Sequence, residues 1–338
     1  MPANLTPEYK RAEEAYRRAR GPRERLEALR EMLRTIPKHK GTEHLQADIK
    51  SRIRELTEEL EAGRRGPRRG GPSYSVRPEG AAQVALLGPP NGGKSTLHAR
   101  LTGSHAEAGP FPFTTQMPLP GMLPFEDIHF QIVDLPPVAA EHTPPWLPSA
   151  LQNADAALLV LDLADPEAPE QAQAVVAQLA GRRITLSGRW PGLDGEEEAE
   201  EDVFRLRLPT LLVANKADRS TDPEADVAVL EELAALQLPA LAVSAERGDG
   251  LARIAPFLFR GLGVVRVYTK APGREPDRDH PFTVRRGDTV RDVARLVHKE
   301  LAERLRYARI WGSAQFDGQQ VGPDHLVADG DVVELHAR

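Results

Sequence analysis

The sequence predicts an α/β fold: a mostly parallel sheet with helices on both faces, set between an N-terminal helical arm and a C-terminal α+β domain. Three observations predict it. From residue 80 to 263, short apolar runs alternate with helical stretches, the pattern of strands buried by helices on both sides. A glycine-rich stretch follows the first of these runs, where a strand must turn into a helix. Composition shifts at both flanks, with a Gly/Arg/Pro segment at 62–72 and a strand-rich block from residue 264.

The arm spans residues 1–62. Leu26, Leu29, Leu33 and Ile36 recur at helical spacing, as do Leu45, Ile49, Ile53, Leu56 and Leu60. Pro37 and Gly41 break the run and Thr42 is placed to cap a second helix, so an antiparallel helical hairpin is expected. Residues 63–79 read as a linker, since "AGRRGPRRGGP" cannot form a core. Within 80–263, "QVALLG", "IHFQIVD", "AALLVLD", "TLLVANK" and "PALAVS" are the expected strands. Asp222 and Pro223 start a helix between the last two. Residues 164–208, with the acidic run "EEEAEED", read as an insertion in this domain. In 264–338, four strand-like runs surround one helix, "TVRDVARLVHKELAERL", with Val293, Leu296, Val297 and Leu301 on one side. Tyr307, Trp311 and His298 read as structural there.

Charge narrows the function. The chain has no cysteine, so disulfides and thiolate metal sites are excluded. No apolar stretch is long enough to span a bilayer. The amino terminus lacks a signal-like apolar segment, and a cytoplasmic protein is expected by elimination. The net charge of −6 divides into +6 over residues 1–72, −13 over 73–263 and +1 over 264–338. A basic arm on an acidic body fits a polyanionic partner such as RNA, with no sign of DNA specificity. Arg285, Arg286, Arg304, Arg306 and Arg309 are candidates to meet RNA phosphates.

The chemistry sits in four loops. "GPPNGGKST", residues 88–96, matches G-x-x-x-x-G-K-[ST] between a strand and a helix. Gly88 and Gly93 let the backbone curl so that amides face phosphate oxygens. Pro90, Asn91, Gly92, Gly93, Lys94, Ser95 and Thr96 form the expected cradle. Lys94 reaches the β- and γ-phosphates, and the Ser95 hydroxyl ligates Mg²⁺. "NKAD", residues 215–218, follows a second buried strand about 120 residues on. Asp218 can accept two hydrogen bonds from the N1 and N2 edge of guanine, which adenine cannot donate. Asn215 anchors the loop, and the Lys216 stem covers the base. Ser244 and Ala245, in "SAE", support the base from the next strand end. In "FPFTTQ", residues 111–116, Thr114 and Thr115 both qualify to complete a Mg²⁺ shell. The phosphate, "NKAD" and "SAE" loops are expected to open at the carboxyl ends of the strands, where ligands gather in such sheets.

Together these motifs resemble the developmentally regulated GTP-binding proteins, within the Obg-like GTPases. "KHKGTEHLQADIKSRIREL" resembles the helical segment before that family's G domain. "VRVYTKAPGREPD", "YARIWG" and "VGPDHLVADGDVVELH" resemble its C-terminal TGS domain, a β-grasp module. The resemblance implies binding of GTP and GDP with Mg²⁺, slow hydrolysis, and association with ribosomes or RNA. It places Thr115 as the switch-one threonine, Asp134 as the Mg²⁺-facing aspartate, and Lys94, Thr115 and Asp134 in the hydrolytic centre.

Two residues depart from the family pattern. Gly92 stands where relatives have valine, and Pro137 where they have the glycine of D-x-x-G. That glycine donates its backbone N–H to the γ-phosphate. Proline has no such proton and fixes φ. A weakened second switch is therefore expected, with nucleotide binding intact. Val138 cannot orient water, so hydrolysis is expected to be slow or partner-dependent, with Glu141 and His142 the nearby polar groups. The competing expectation is a scaffold that holds GTP or GDP without hydrolysing it. A third, an ATP-dependent kinase, is disfavoured by "NKAD".

Overall fold

Prolines set the starts of the first two helices. In the computed structural model, which describes residues 6–19, 21–37, 42–64, 74, 76–104, 117–139, 143–195 and 204–337, α1 (Pro7–Arg18) has Thr6 as its cap. The Thr6 hydroxyl accepts from the Tyr9 amide at 3.2 Å. The chain turns at Gly21, and α2 (Pro22–Thr35) begins with Pro22 at a first-turn position whose N–H is not needed. The third helix, α3, runs Glu43–Arg64. The expected two-helix hairpin is thus a three-helix unit. A helical period alone does not reveal that Gly21-Pro22 ends one helix and starts another. The Thr42 hydroxyl, just before α3, donates to the Pro37 carbonyl at 2.5 Å and accepts from Gln46 at 3.2 Å.

The described residues fall into two units, one within Met1–Arg77 and Ala199–Arg205, the other within Pro78–Glu198 and Leu206–Arg338. The core of the first joins Tyr9, Leu26, Leu29, Met32, Ile36, Ile49 and Leu56. It also takes in Phe204, over which the Arg52 guanidinium sits at 4.6 Å from the ring centroid.

The second unit begins with the strand and helix that flank the glycine-rich loop, β1 (Gln83–Leu87) and α4 (Lys94–Thr102). An antiparallel pair follows, β2 (Leu119–Phe125) and β3 (Ile128–Asp134). Then come α5 (Leu147–Leu151), β4 (Ala156–Asp162), α6 (Ala168–Ala180), β5 (Ile184–Ser187), α7 (Pro191–Asp194), β6 (Leu206–Asn215), α8 (Pro223–Ala234), β7 (Ala240–Ala242) and α9 (Ile254–Gly261). The strand order is β2-β3-β1-β4-β6-β5, with β7 also on β6, and every pairing but β2–β3 is parallel. All five expected strands form.

Two strands of this sheet were not legible, nor was the short Gln319–Val321 strand of the C-terminal block. β2 carries Pro120, Gly121 and Pro124, which argue against a strand unless it lies at a sheet edge, as it does. At Gly121 a Cβ would stand 2.8 Å from His98 Nε2 and 2.7 Å from Thr102 Oγ1, so glycine lets α4 pack close. β5 falls inside the expected insertion. Residues 168–187 instead form a crossover helix and a parallel strand of the main sheet. Asp222 caps α8 as predicted, accepting from the Ala225 amide at 3.2 Å.

The C-terminal block of the same unit is a five-stranded sheet: β8 (Val264–Thr269), β9 (Asp277–Arg285), β10 (Leu305–Trp311), β11 (Gln319–Val321) and β12 (Asp331–Ala337), in the order β11-β10-β12-β8-β9. The central β8–β12 pair is parallel and the rest antiparallel. The single helix expected here is two, α10 (Val290–Val297) and α11 (Lys299–Arg304), broken where His298 is extended at φ −165°. Val290, Val293 and Ala294 enter the core, whereas Leu296 and Val297 are exposed. Tyr307 and Trp311 also lie outside that core, which takes the alternate residues Ala308 and Ile310. Tyr307 stacks on His336 with centroids 4.5 Å apart, and the Lys270 ammonium lies 4.4 Å from the Trp311 ring centroid.

Candidate functional site

The phosphate-loop residues fold as their types require. Gly88 has φ +145°, and a Cβ there would stand 2.3 Å from the Val160 carbonyl oxygen of β4. Gly93, at φ +89°, would drive a Cβ to 2.3 Å from Asn215 Nδ2. Asn91 is also left-handed, at φ +62°, a conformation asparagine tolerates better than most residues. Gly92 has a role beyond backbone freedom. A Cβ on it would lie 2.9 Å from the Val160 oxygen, so glycine lets this loop sit down on β4.

Lys94, the first residue of α4, is buried at 6% exposure. Its ammonium donates to the carbonyls of Pro89 at 2.7 Å and Gly88 at 3.2 Å. Burial pushes its pKa down to about 8, with nearby Asp134 pulling the other way. Ser95 Oγ donates to Asp134 Oδ2 at 2.6 Å. Two of the three expected Mg²⁺ ligands are therefore adjacent, and Asp134 is placed by its register at the end of β3 opposite Leu86. Both are hard oxygen donors, which suit Mg²⁺. Among the described residues no group of three or more His, Cys, Asp or Glu residues gathers to hold a metal. Thr114, Thr115, Glu141 and His142 lie outside the described residues.

The loop after Asp134 packs inward. Leu135, Pro136, Pro137 and Val138 are all buried. The Val138 amide donates to the Gly88 carbonyl at 3.0 Å. Pro137 has no proton to offer, and the next amide is spent on the phosphate loop's own backbone.

The guanine-side residues are tied together by Asn215, at the end of β6. Its Nδ2 donates to the Gly92 carbonyl at 3.0 Å and its Oδ1 accepts from the Ala245 amide at 2.9 Å. One buried side chain thus joins the phosphate loop to the "SAE" loop, and all three loops are held in one frame. Lys216 is left-handed at φ +63°, and its ammonium pairs with Asp162 Oδ2 at 2.5 Å. Sequence reasoning missed Asp162. The available signal was the acid closing "AALLVLD", a strand whose last residue pairs in register with Asn215. The Asp218 carboxyl is held below the usual range, first by a hydrogen bond from the Ser244 side chain and further by Arg247 and Arg219. Ser244 and Ala245 are buried behind it.

The basic residues of the C-terminal block divide in use. Arg285, expected to meet RNA, instead faces Asp155 Oδ1 at 3.3 Å, and Arg286 donates to the Gly192 carbonyl at 3.2 Å. Arg266 lies among Glu126, Asp127 and Asp329, and the Tyr268 hydroxyl donates to Asp127. These residues fasten the block to the larger sheet domain. Arg306 and Arg309 stay exposed on β10.

Comparison with known proteins agrees with this geometry. Residues 83–187 match a family profile described as a 50S ribosome-binding GTPase, and residues 265–337 match the TGS domain. A GTP-binding protein of Halobacterium salinarum is 30% identical over 372 residues, covering 94% of this chain and 100% of that protein. Developmentally-regulated G-protein 2 of Arabidopsis thaliana is 27% identical over 362 residues, covering 92% of this chain and 90% of that protein. GTP-binding protein 1 of Schizosaccharomyces pombe is 27% identical over 360 residues, covering 92% and 98%. With both domains matched in order and the similarity running nearly end to end, the chain belongs to the developmentally regulated GTP-binding proteins, Obg-like GTPases that end in a TGS domain.

Proposed function

We propose that this chain binds GTP and GDP with Mg²⁺, hydrolyses GTP slowly, and signals the γ-phosphate weakly through its second switch. The observation that carries the reading is the frame around Asn215, which fixes the phosphate loop, the guanine loop and the Ala245 amide relative to one another. In this reading Gly88 and Pro90 to Thr96 cradle the phosphates and Lys94 neutralises their charge. Ser95, Thr115 and Asp134 hold the ion, which supplies charge neutralisation along the phosphate chain. Asp218 selects guanine, with Asn215, Lys216, Ser244 and Ala245 supporting the base. The weak switch rests on Pro137 and on the Val138 amide, already bonded to Gly88. That same observation favours the second reading, a nucleotide-holding scaffold. Single-turnover GTP hydrolysis by purified protein, alone and with ribosomes, decides between them. Cleavage at any rate above the buffer control supports the GTPase. None under either condition leaves the scaffold. Tighter binding of ATP than GTP removes both.

For the partner, the reading is RNA or the ribosome, met in the cytoplasm. The part of the TGS sheet face beyond the Arg266 and Tyr268 attachment supports it, with Lys270, Arg309, Tyr307, Trp311 and His336 grouped around the buried Glu334, which contacts Lys270 and His336. Cations among partly exposed aromatic rings suit backbone contact and base stacking on single-stranded RNA. Arg309→Glu with Lys270→Glu should lower RNA or ribosome co-sedimentation most strongly at low salt. Unchanged sedimentation counts against this face.

A further inference from the structure

Arg247 lies beside the guanine-selecting carboxylate and is not absorbed by the site as described. Its Nε is 3.8 Å from Asp218 Oδ2, with the arginine side chain 65% exposed and that of Asp218 10% exposed. The backbone beneath it is fixed. The Arg247 amide donates to Ser244 Oγ at 3.0 Å, the Gly248 amide to the Ser244 carbonyl at 2.7 Å, and the Ser244 amide to the Asp249 carbonyl at 2.9 Å. From α4, Arg100 donates to the Glu246 carbonyl. At Gly250, φ is +73° and a Cβ would stand 2.5 Å from the Ala242 oxygen. The Arg247 Cα is therefore set by the loop, and its side chain alone is free to move.

We propose that Arg247 competes with the guanine edge for the Asp218 carboxylate: its guanidinium stands at ion-pair distance from Oδ2 and yields to the base, so it tunes how tightly this chain holds guanine nucleotides. The inference rests on the assignment of Asp218 to guanine. The chemistry is a match of donors. A guanidinium offers a carboxylate parallel N–H groups in one plane, as do N1–H and the exocyclic amine of guanine. The contact is a charge contact at the rim rather than a closed hydrogen bond, so it is weak enough to yield. Exposed ion pairs of this kind change an equilibrium by at most about fivefold.

The test uses the full chain and fluorescent GDP. Arg247→Ala should bind GDP roughly two- to fivefold more tightly than the parent at low salt, with the difference shrinking as salt screens the pair. Arg247→Lys, a single point charge without the planar donor pair, should fall between them. In an Asp218→Asn background, probed with xanthosine diphosphate, Arg247→Ala should have no effect, because a neutral amide does not hold the guanidinium. Weaker or unchanged GDP binding by Arg247→Ala overturns the proposal, as does an equal effect in the Asp218→Asn background. If the parent shows no preference for GDP over ADP, the guanine assignment itself has failed.

Discussion

Replacing Lys94 by methionine should separate function from stability. The ammonium is buried, and its pKa falls from the ordinary 10.5 to about 8. At 1.36 kcal/mol per pH unit that difference is on the order of 3 kcal/mol held against the charged form in the nucleotide-free fold. The folded pKa lies below the unfolded one, so the penalty is fully present below pH 8. It is relieved as pH climbs from about 8 towards 10.5, where only the unfolded chain still takes up the proton. Methionine keeps most of the length and apolar stem but has no charge to desolvate. Against the gain stand two lost hydrogen bonds, to Pro89 and Gly88, each contributing about 1 kcal/mol. The net expectation is a nucleotide-free Lys94→Met protein more stable by about 1 kcal/mol at pH 7, a rise in Tm of about 2–4 °C. Nucleotide affinity should fall at least tenfold, since a charged donor to phosphate is gone. Scanning calorimetry of nucleotide-stripped protein at pH 7 and pH 9 provides the check. The parent should close on the variant at the higher pH. A variant with a lower Tm at pH 7, or a gap that does not narrow, refutes the burial argument.

Four further substitutions probe the site and the TGS attachment. Pro137→Gly restores a backbone amide and should raise the preference for GTP over GDP by roughly tenfold to hundredfold; calorimetric titration with both nucleotides measures it, and an unchanged ratio removes the amide argument. Gly88→Ala forces a Cβ against the Val160 carbonyl at a φ of +145°. It should cost on the order of 3 kcal/mol, read as a lowered urea midpoint, together with loss of nucleotide binding. Arg266→Met and Tyr268→Phe should loosen the TGS attachment at neutral pH. Burial pushes the Asp127 and Asp329 carboxyls up, but the bonds from Arg266, and from Tyr268 to Asp127, outweigh it and hold both below the ordinary value of 3.8. Their stabilisation is thus present above about pH 4 and lost as pH falls through the lower folded values. Acid titration should therefore show the variants and the parent converging below pH 4; a gap of constant size down to full unfolding contradicts this.

The nucleotide loops were legible because their chemistry is local. Glycines at Gly88 and Gly93 mark left-handed or crowded backbone, a lysine and a serine follow at fixed offsets, and an acid closes a buried strand at Asp134. Apolar runs located five strands for the same reason. The misses share a cause too. β2 carries prolines that only an edge position excuses, and β5 hid in a stretch whose composition suggested an insertion. His298 broke a helix whose apolar spacing continues unbroken in the sequence.

By itself the sequence determined the fold class and the family, and it marked the loops expected to meet phosphate and guanine, since short spacings and burial periods follow from backbone geometry. Only the tertiary structure decided how those residues are shared out. Asn215 binds two loops at once, Asp162 takes the Lys216 ammonium, the Val138 amide is spent on Gly88, and Arg285 and Arg286 serve as fasteners. Each of these partnerships joins groups far apart in the chain. Strand register and close packing create such contacts, and neither is written in any local stretch of residues.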